Sequence, residues 1–398
     1  MNYRLKFSFL LILCAVNNCF SQQRLKVSHV VPKQPVVMIM MDGFGQAYLD
    51  SSDMPVLKNM MAKGLYKIAK DMMPSVTNCN NAAICTSTFP GVNGIVGNSF
   101  YNYNTKKEEF MEDSSLLLAP TVFTRAAKYG IKSALISSKL KTIHLLAKGT
   151  SVAISPEIAT DEWTNAIGLP PDKYSSEVNY WTFNAAIHLM KTRPDIGLYY
   201  IHTTDYPMHM WEPGDARSKQ HLHTIDSLLG VIIKTLPNAA IFITADHGMN
   251  HKSKVWDLTK ALANRGLPIK LSISASKDLY PKHHLGFGGC VYVYLNKGAD
   301  TTKAKKILLS LPGVETVYTR REAVIKLHEM ASRIGDLVVL GDKNTVLGEA
   351  ATETETLAAT YRSHGSVYEQ DVPLIIYNIP HPAATYFKYN KDLLRWLY

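Results

Sequence analysis

The chain reads as an α/β protein: a mostly parallel sheet with helices on both faces, carrying a small α+β cap insertion. Three observations predict this. Short apolar runs alternate with helix-like segments, the pattern of a sheet covered on both sides. The first run, Val36 to Met41, is apolar at every position, so both of its faces should be buried. Acidic residues and histidines follow directly after several runs, at the carboxyl ends of strands where open α/β sheets place their ligands.

Taken in order, the chain begins with Arg4 and Lys6, then the apolar run Phe7 to Val16, then Cys19-Phe20-Ser21 before Gln22. A positive start, an apolar stretch too short to span a bilayer and a small residue at the break predict an export signal over residues 1–21. A secreted or periplasmic mature protein follows, since no later stretch is long and apolar enough for a membrane span. The catalytic core is expected over 22–251 and 353–398. Its strands are Val36–Met41, Ser133–Ile136, Ile196–Ile201, Ala240–Thr244 and Pro373–Tyr377, and its helices Met54–Lys63, Asn80–Thr86, Pro120–Tyr129, Val178–Lys191 and Ser218–Leu236. Between 252 and 352 the texture changes. Strands Lys270–Ile273, Cys290–Leu295, Val314–Tyr318 and Asp336–Leu340 alternate with helices Thr302–Leu311 and Arg321–Met330, as a cap over the sheet edge would.

Composition narrows the partners. The chain of 398 residues is 46% hydrophobic and 19% charged, which is ordinary for a globular protein. The net charge of +10 comes from scattered lysines and arginines, with no arginine-rich arm, aromatic-basic alternation or zinc-finger spacing. A nucleic acid polymer is therefore not the expected partner, whereas a basic field suits a small anion. The oligomeric state is left open, a homodimer included. Once the signal is removed Cys79, Cys85 and Cys290 remain, an odd number with no disulfide framework, and all three are expected in the core.

The chemistry lies in four places. Pro74-Ser75-Val76-Thr77-Asn78-Cys79-Asn80-Asn81 offers a hydroxyl that a divalent cation can turn into a nucleophile. Asp42 follows the first strand and precedes Gly43. Asp205 and His209 are spaced D-x-x-x-H around Pro207, in what reads as a turn. Asp246 and His247 follow another buried strand, and His364 stands before the last one. Carboxylates and imidazoles without thiolates suit zinc, with manganese or iron as alternatives. Two ions could be held: one by Asp42, Asp246 and His247 beside the Thr77 oxygen, the other by Asp205, His209 and His364. His144, His202, His221, His223, His283 and His284 read as ordinary surface or core residues.

Met41-Asp42-Gly43, Thr77, Asn98 in Gly94-Ile95-Val96-Gly97-Asn98, Asp205 with His209, Asp246-His247-Gly248 and His364-Gly365 together resemble the alkaline phosphatase superfamily, in its nucleotide pyrophosphatase/phosphodiesterase branch. The resemblance spans nearly the whole mature chain. It implies an alkaline-phosphatase-like fold, a transiently phosphorylated Thr77 and an Asn98 that donates to a phosphoryl oxygen. Within the branch, the Thr77 segment, Asp246-His247-Gly248-Met249-Asn250, Arg362-Ser363-His364-Gly365 and Ser137-Ser138-Lys139-Leu140-Lys141 are similar to phosphonoacetate hydrolases. Cys79 stands where those have a proline, and Leu140 where their lysine pair encloses an acidic residue.

The resemblance implies Lys139 and Lys141 as the pair that grips substrate. An extended segment after a strand would aim both the same way. The expected reaction is cleavage of phosphonoacetate to acetate and phosphate, the lysines holding the carboxylate that becomes an enolate. The alternatives are a phosphodiesterase, nucleotide pyrophosphatase or phosphomonoesterase on the same two-zinc site, or a metal-stabilised binding protein without turnover. Phe100, Tyr101 and Tyr103 are the candidates for a base-stacking slot, and otherwise core or cap contacts.

Overall fold

The computed structural model describes residues 29–398, so the export signal expected over 1–21 lies outside the described residues. A seven-stranded sheet forms the centre. Across it run Leu65–Lys70, Asp371–Tyr377, Ala240–Thr244, Val36–Met40, Ile196–His202, Lys132–Ser137 and Val152–Ile154. Val36–Met40 pairs in parallel with the strands on both sides of it, and Asp371–Tyr377 runs antiparallel to both of its neighbours.

The apolar first strand is buried at every position, and the two faces divide it. Val36, Met38 and Met40 pack with Val76, Cys79 and Ile84 on one side. Val37, Ile39 and Met41 pack with Phe44, Ile225 and Leu229 on the other. This alternation is the side-chain period of a strand with no wet face. Helices Pro55–Lys63, Glu177–Thr192 and Ala216–Thr235 cover the second side, and Thr77–Thr86 lies buried along its whole length on the first.

Register places the chemistry. Met40 sits level with His202 and Thr244, and His202 level with Ser137. All four strands therefore end on one line, and the next few residues of each chain segment, Asp42, Asp205, Asp246 and Lys139, emerge at the same edge.

Residues 250 to 363 contribute separate sheets. One holds Leu271–Ser274, Cys290–Tyr294, Leu337–Gly341 and Val314–Thr319, and another pairs Lys254–Trp256 with Thr345–Leu347 and Thr354–Thr356. Asn250–His251 pairs with Arg362–Ser363, so the segment leaves and re-enters the core through one short ladder. Helices Thr301–Leu309 and Arg320–Lys326 pack on these sheets, the second opened by a Thr319–Glu322 capping box.

Two local expectations are corrected. Lys139 and Lys141 do not lie on an extended segment: Lys139 is the residue before the helix Leu140–Leu146, and Lys141 is in its first turn. They diverge accordingly. Asp205 and His209 are joined not by an open turn but by the short helix Tyr206–Met210, with Pro207 in its first turn, where a missing N–H costs nothing.

Candidate active site

Thr77 is the first residue of its helix and is almost wholly buried. The asparagines around it are clamps. Asn80 Oδ1 accepts from Met72 N at 2.7 Å while its Nδ2 donates to Met72 O at 3.1 Å, fixing the loop that leads to Thr77. Asn81 Nδ2 donates to Thr77 O at 3.2 Å, and Tyr200 holds Asn81 Oδ1 at 2.9 Å. Asn98 Oδ1 accepts from the Asn78 N–H at 3.0 Å, which sets Asn98 beside the helix N-terminus. Its amide nitrogen then donates to Ser276 O (3.2 Å) and Asp278 Oδ2 (3.3 Å).

Asp42 follows its strand through a turn that needs Gly43. Gly43 has φ +73°, and a Cβ there would come 3.0 Å from Asp205 Cβ. Three atoms beyond this turn form one group: Asp42 Oδ1, Asp246 Oδ2 and His247 Nε2. All are buried, and none has a hydrogen-bond partner among the described residues. His247 Nε2 lies 3.3 Å from Asp42 Oδ1 and 3.4 Å from Asp246 Oδ2. The His247 Nδ1–H donates to Gly248 O at 2.9 Å, so Nε2 presents its lone pair to two carboxylate oxygens. Leaving three acceptors unpaired in the interior costs several kcal/mol, roughly 1–3 each, unless a cation joins them. This donor set fits a divalent ion.

A second group surrounds Asp205. His209 Nδ1–H donates to Arg362 O at 2.7 Å, so Nε2 faces Asp205 Oδ2 at 2.9 Å, an opposition that only a shared cation or an added proton relieves. His364 Nδ1–H donates to Ser75 O at 2.7 Å, with Nε2 3.7 Å from Asp205 Oδ2. The His247 and His364 rings stack at 3.5 Å between centroids. In all three histidines a backbone carbonyl fixes the tautomer, the supporting contact usual for ligating imidazoles. Burial keeps His247 and His364 from protonating, with the neighbouring His247 adding to the effect on His364. They are held in the neutral form that binds metal.

Lys139 stands between the two groups. Its Nζ lies 2.6 Å from Asp42 Oδ2 and 2.8 Å from Asp205 Oδ1, so each carboxylate gives one oxygen to the ammonium and turns the other toward its own cluster. Burial and Asp205 push the Asp42 carboxyl up, but Lys139, His202 and His247 outweigh them and it stays ionised. Burial with the Asp42 charge raises Asp246 well above the ordinary range when no cation is present. Lys141 instead pairs with Asp278, whose other oxygen receives His284 Nε2 at 3.2 Å and Tyr280 N at 2.7 Å.

The structure thus brings together Asp42, Asp205, His209, Asp246, His247, His364 and Lys139; Thr77 is linked to them through Asn81, whose Nδ2 lies 3.5 Å from His202 Nε2, and Asn98 and Lys141 meet at Asp278. It also brings in residues that the sequence passed over. His202 Nε2 lies 3.3 Å from Asp42 Oδ2, and its Nδ1 2.9 Å from Ser137 Oγ. Its place at the end of a buried strand was the available signal. His283 lies 3.7 Å from Asp205 Oδ1. Phe100 and Tyr101 are core residues; the exposed Tyr103 packs edge-on against Tyr101, bonds Arg320, and with Phe100 lines an open cavity of about 530 Å³ whose lining includes none of the cluster residues.

One buried ion pair holds the two histidine loops together. Lys252 Nζ donates to Glu369 Oε1 (2.9 Å) and Lys343 O (3.0 Å). Glu369 also accepts from Ser366 N, and its carbonyl accepts from Gly248 N. Both side chains are fully buried. Lys252→Met is expected to cost about 3–5 kcal/mol, because Glu369 is left as an unpaired buried charge. Adding Glu369→Gln should recover part of the loss. Denaturant titration of the two variants checks this, and a loss under about 1 kcal/mol in the single variant would show that the pair is not what joins the loops.

A mostly parallel α/β sheet with a threonine at a helix N-terminus and three overlapping carboxylate–imidazole groups at its carboxyl edge (Asp42–Asp246–His247, Asp205–His247–His364 and Asp205–His209–His283) is an alkaline-phosphatase-like fold. The type I phosphodiesterase/nucleotide pyrophosphatase family model matches residues 36–367, and the chain belongs to that family. The venom phosphodiesterase of Macrovipera lebetinus is 25% identical over 250 residues, 60% of this chain and 28% of that protein. The bis(5'-adenosyl)-triphosphatase enpp4 of Mus musculus is 27% identical over 231 residues, 55% of this chain and 48% of that one. The chain therefore matches less than half the length of these curated relatives. Among solved structures, phosphonoacetate hydrolase from Sinorhizobium meliloti 1021, in complexes with phosphonoformate and phosphonoacetate, superposes with TM-score 0.83 at 30% identity, covering 92% of this chain and 95% of that one. Murine ectonucleotide pyrophosphatase/phosphodiesterase 5 shares the fold, with TM-score 0.67 at 18% identity.

Proposed function

We propose that the protein hydrolyses a phosphorus–carbon bond, converting phosphonoacetate and water to acetate and phosphate through a phosphorylated Thr77. Asp42, Asp246, His247 and the Thr77 oxygen would hold one zinc ion, and Asp205, His209 and His364 the other. When bound, the two cations lower the pKa of the Thr77 hydroxyl and offset charge at the phosphoryl oxygens. Thr77 Oγ attacks phosphorus in line. Asn98 Nδ2, which donates to Ser276 O and Asp278 Oδ2, would exchange one of these bonds for an equatorial phosphoryl oxygen, while Oδ1 stays on the Asn78 N–H. The phosphorus–carbon bonding pair leaves with carbon as the enolate of acetate, which takes up, relayed through solvent, the proton that the Thr77 hydroxyl gave up. A second water then cleaves the phosphothreonine and releases phosphate.

The observation that carries this reading is the buried side chain Lys141, joined to Asn98 through their shared partner Asp278, so that a substrate carboxylate would share the ammonium with Asp278. A carboxylate two atoms from phosphorus suits such a group. The solved complexes of a 30% identical neighbour support it. Lys139 is engaged by Asp42 and Asp205, so its part is to hold charge between the two clusters as well as to meet the substrate. The second reading, a phosphodiesterase, is favoured by the family model and the curated relatives. Against it, Tyr101 is buried, and the open cavity that Phe100 and Tyr103 line includes none of the cluster residues.

Zinc-loaded protein offered phosphonoacetate, bis-p-nitrophenyl phosphate and p-nitrophenyl phosphate in parallel separates the readings. Lys141→Ala sharpens the comparison. One charge-assisted contact is worth about 1.5–3 kcal/mol, so kcat/KM for phosphonoacetate should fall about tenfold to a hundredfold, with the aryl diester nearly spared. Equal losses on both esters and phosphonoacetate would replace the carboxylate clamp with a broader phosphoesterase.

A further inference from the structure

The loop Ser276 to Gly286 reaches from the four-stranded cap sheet into the site and presents two adjacent histidines that differ in what they can do. His284 is fully committed. Its Nε2–H meets Asp278 Oδ1 at 3.2 Å, its Nδ1 accepts from Gly286 N at 2.9 Å, and its backbone oxygen receives the Tyr361 hydroxyl at 2.6 Å. His283 is not. Its side chain is 3% exposed. Its Nδ1 is buried without a hydrogen-bond partner among the described residues. Its Nε2 stands 3.7 Å from Asp205 Oδ1, beyond hydrogen-bonding distance. The His283 ring lies 4.7 Å from that of His209, and the donor atoms of Asp205, His209 and His283 fall within 4.8 Å of one another.

A buried imidazole with no partner loses hydration without compensation, by about 1–3 kcal/mol, unless something binds it. The loop is held in this position by the Asp278–Lys141 pair and by Pro281–His283, a single turn of 3-10 helix. Tyr174 and Tyr206 flank the ring at 5.8 and 6.0 Å.

We propose that His283 is a further protein ligand of the ion at Asp205, His209 and His364, so that this ion is shared between the core and the cap while the ion at Asp42 belongs to the core alone. The inference rests on the two-ion reading given above. Zinc can expand from four donors to five, so Asp205, His209, His364 and His283 would supply four and leave one position for a phosphoryl oxygen.

The test uses the full chain stripped of metal and titrated calorimetrically with zinc, then with cobalt for its visible spectrum. In His283→Ala, one ion should bind about 10–100-fold more weakly and the other unchanged. The cobalt band of the weakened ion should change intensity, because its donor count changes. His283→Gln, which keeps the bulk of the side chain, guards against a folding defect, with circular dichroism confirming the fold of both variants. Nitrogen NMR of histidine-labelled wild-type protein gives an independent count: zinc should shift the ring nitrogens of four imidazoles, those of His209, His247, His283 and His364. Unchanged affinities and spectra in both variants, or only three shifted imidazoles, would overturn the assignment while leaving the two-ion site intact. A wild-type chain that bound no zinc at all would remove both.

Discussion

Thr77→Ala is expected to lower kcat by about four powers of ten or more while leaving fold and ion content unchanged. Thr77 begins a helix whose ten residues are all buried, so the backbone that carries it does not depend on its hydroxyl. Asn81 holds the Thr77 carbonyl and Asn98 the next N–H, and neither bond involves the side chain. The loss is therefore a loss of nucleophile. Thr77→Ser should retain part of the activity, since the oxygen is kept and only the methyl that fixes its rotamer is removed. Rapid acid quench of the wild-type enzyme with labelled phosphonate should trap phosphothreonine, and the alanine variant should trap none. Turnover of the alanine variant near the wild-type rate would mean that water, and not Thr77, attacks phosphorus.

Removal of divalent ions is expected to abolish activity, with about two zinc ions per chain restoring it. The ion-free protein should also be less stable. Asp42, Asp205 and Asp246 are gathered at one sheet edge with Lys139 as the cation among them, and three acceptor atoms have no partner. An ion present at about a thousand times its dissociation constant adds about 4 kcal/mol per site to the unfolding free energy. Thermal melts with and without chelator, alongside elemental analysis, measure both effects. Active enzyme free of transition metal would end the two-ion account.

The sheet was legible because its strands are buried on both faces. Val36–Met40 and Ala240–Thr244 have no polar interruption before their last residues, and Asp371–Tyr377 extends the expected Pro373–Tyr377 by only two residues. The edge strand Leu65–Lys70 escaped notice because it is only half covered and alternates lysines with apolar residues. The helix Leu140–Leu146 escaped for a different reason. It has no side-chain cap, and the lysines on either side of Leu140 read as a loop pair.

Most of the site was legible because its residues follow strands whose register aligns their ends. What could not be read was the reach of the cap. Asp278 and His283 sit in Ser276-Lys277-Asp278-Leu279-Tyr280-Pro281-Lys282-His283, a stretch of polar turn residues that follows the strand Leu271–Ser274 of a separate sheet and not a strand of the central one. Only the folding-back of that loop over the sheet edge brings Asp278 to Lys141 and His283 to Asp205.

The order of strands also sets when the site can exist. Val36–Met40, the first strand to be synthesised, is the middle of the sheet, and its two partners are Ile196–His202 and Ala240–Thr244. A growing chain thus carries an unpaired Val-Val-Met-Ile-Met for well over a hundred residues, a sticky segment that must be kept from other chains. The clusters wait longer still: His364 is oriented by the carbonyl of Ser75, 289 positions earlier. The cluster that needs His364 therefore stays incomplete until nearly the whole chain is made, whereas Asp42, Asp246 and His247 are all present once residue 247 has been added.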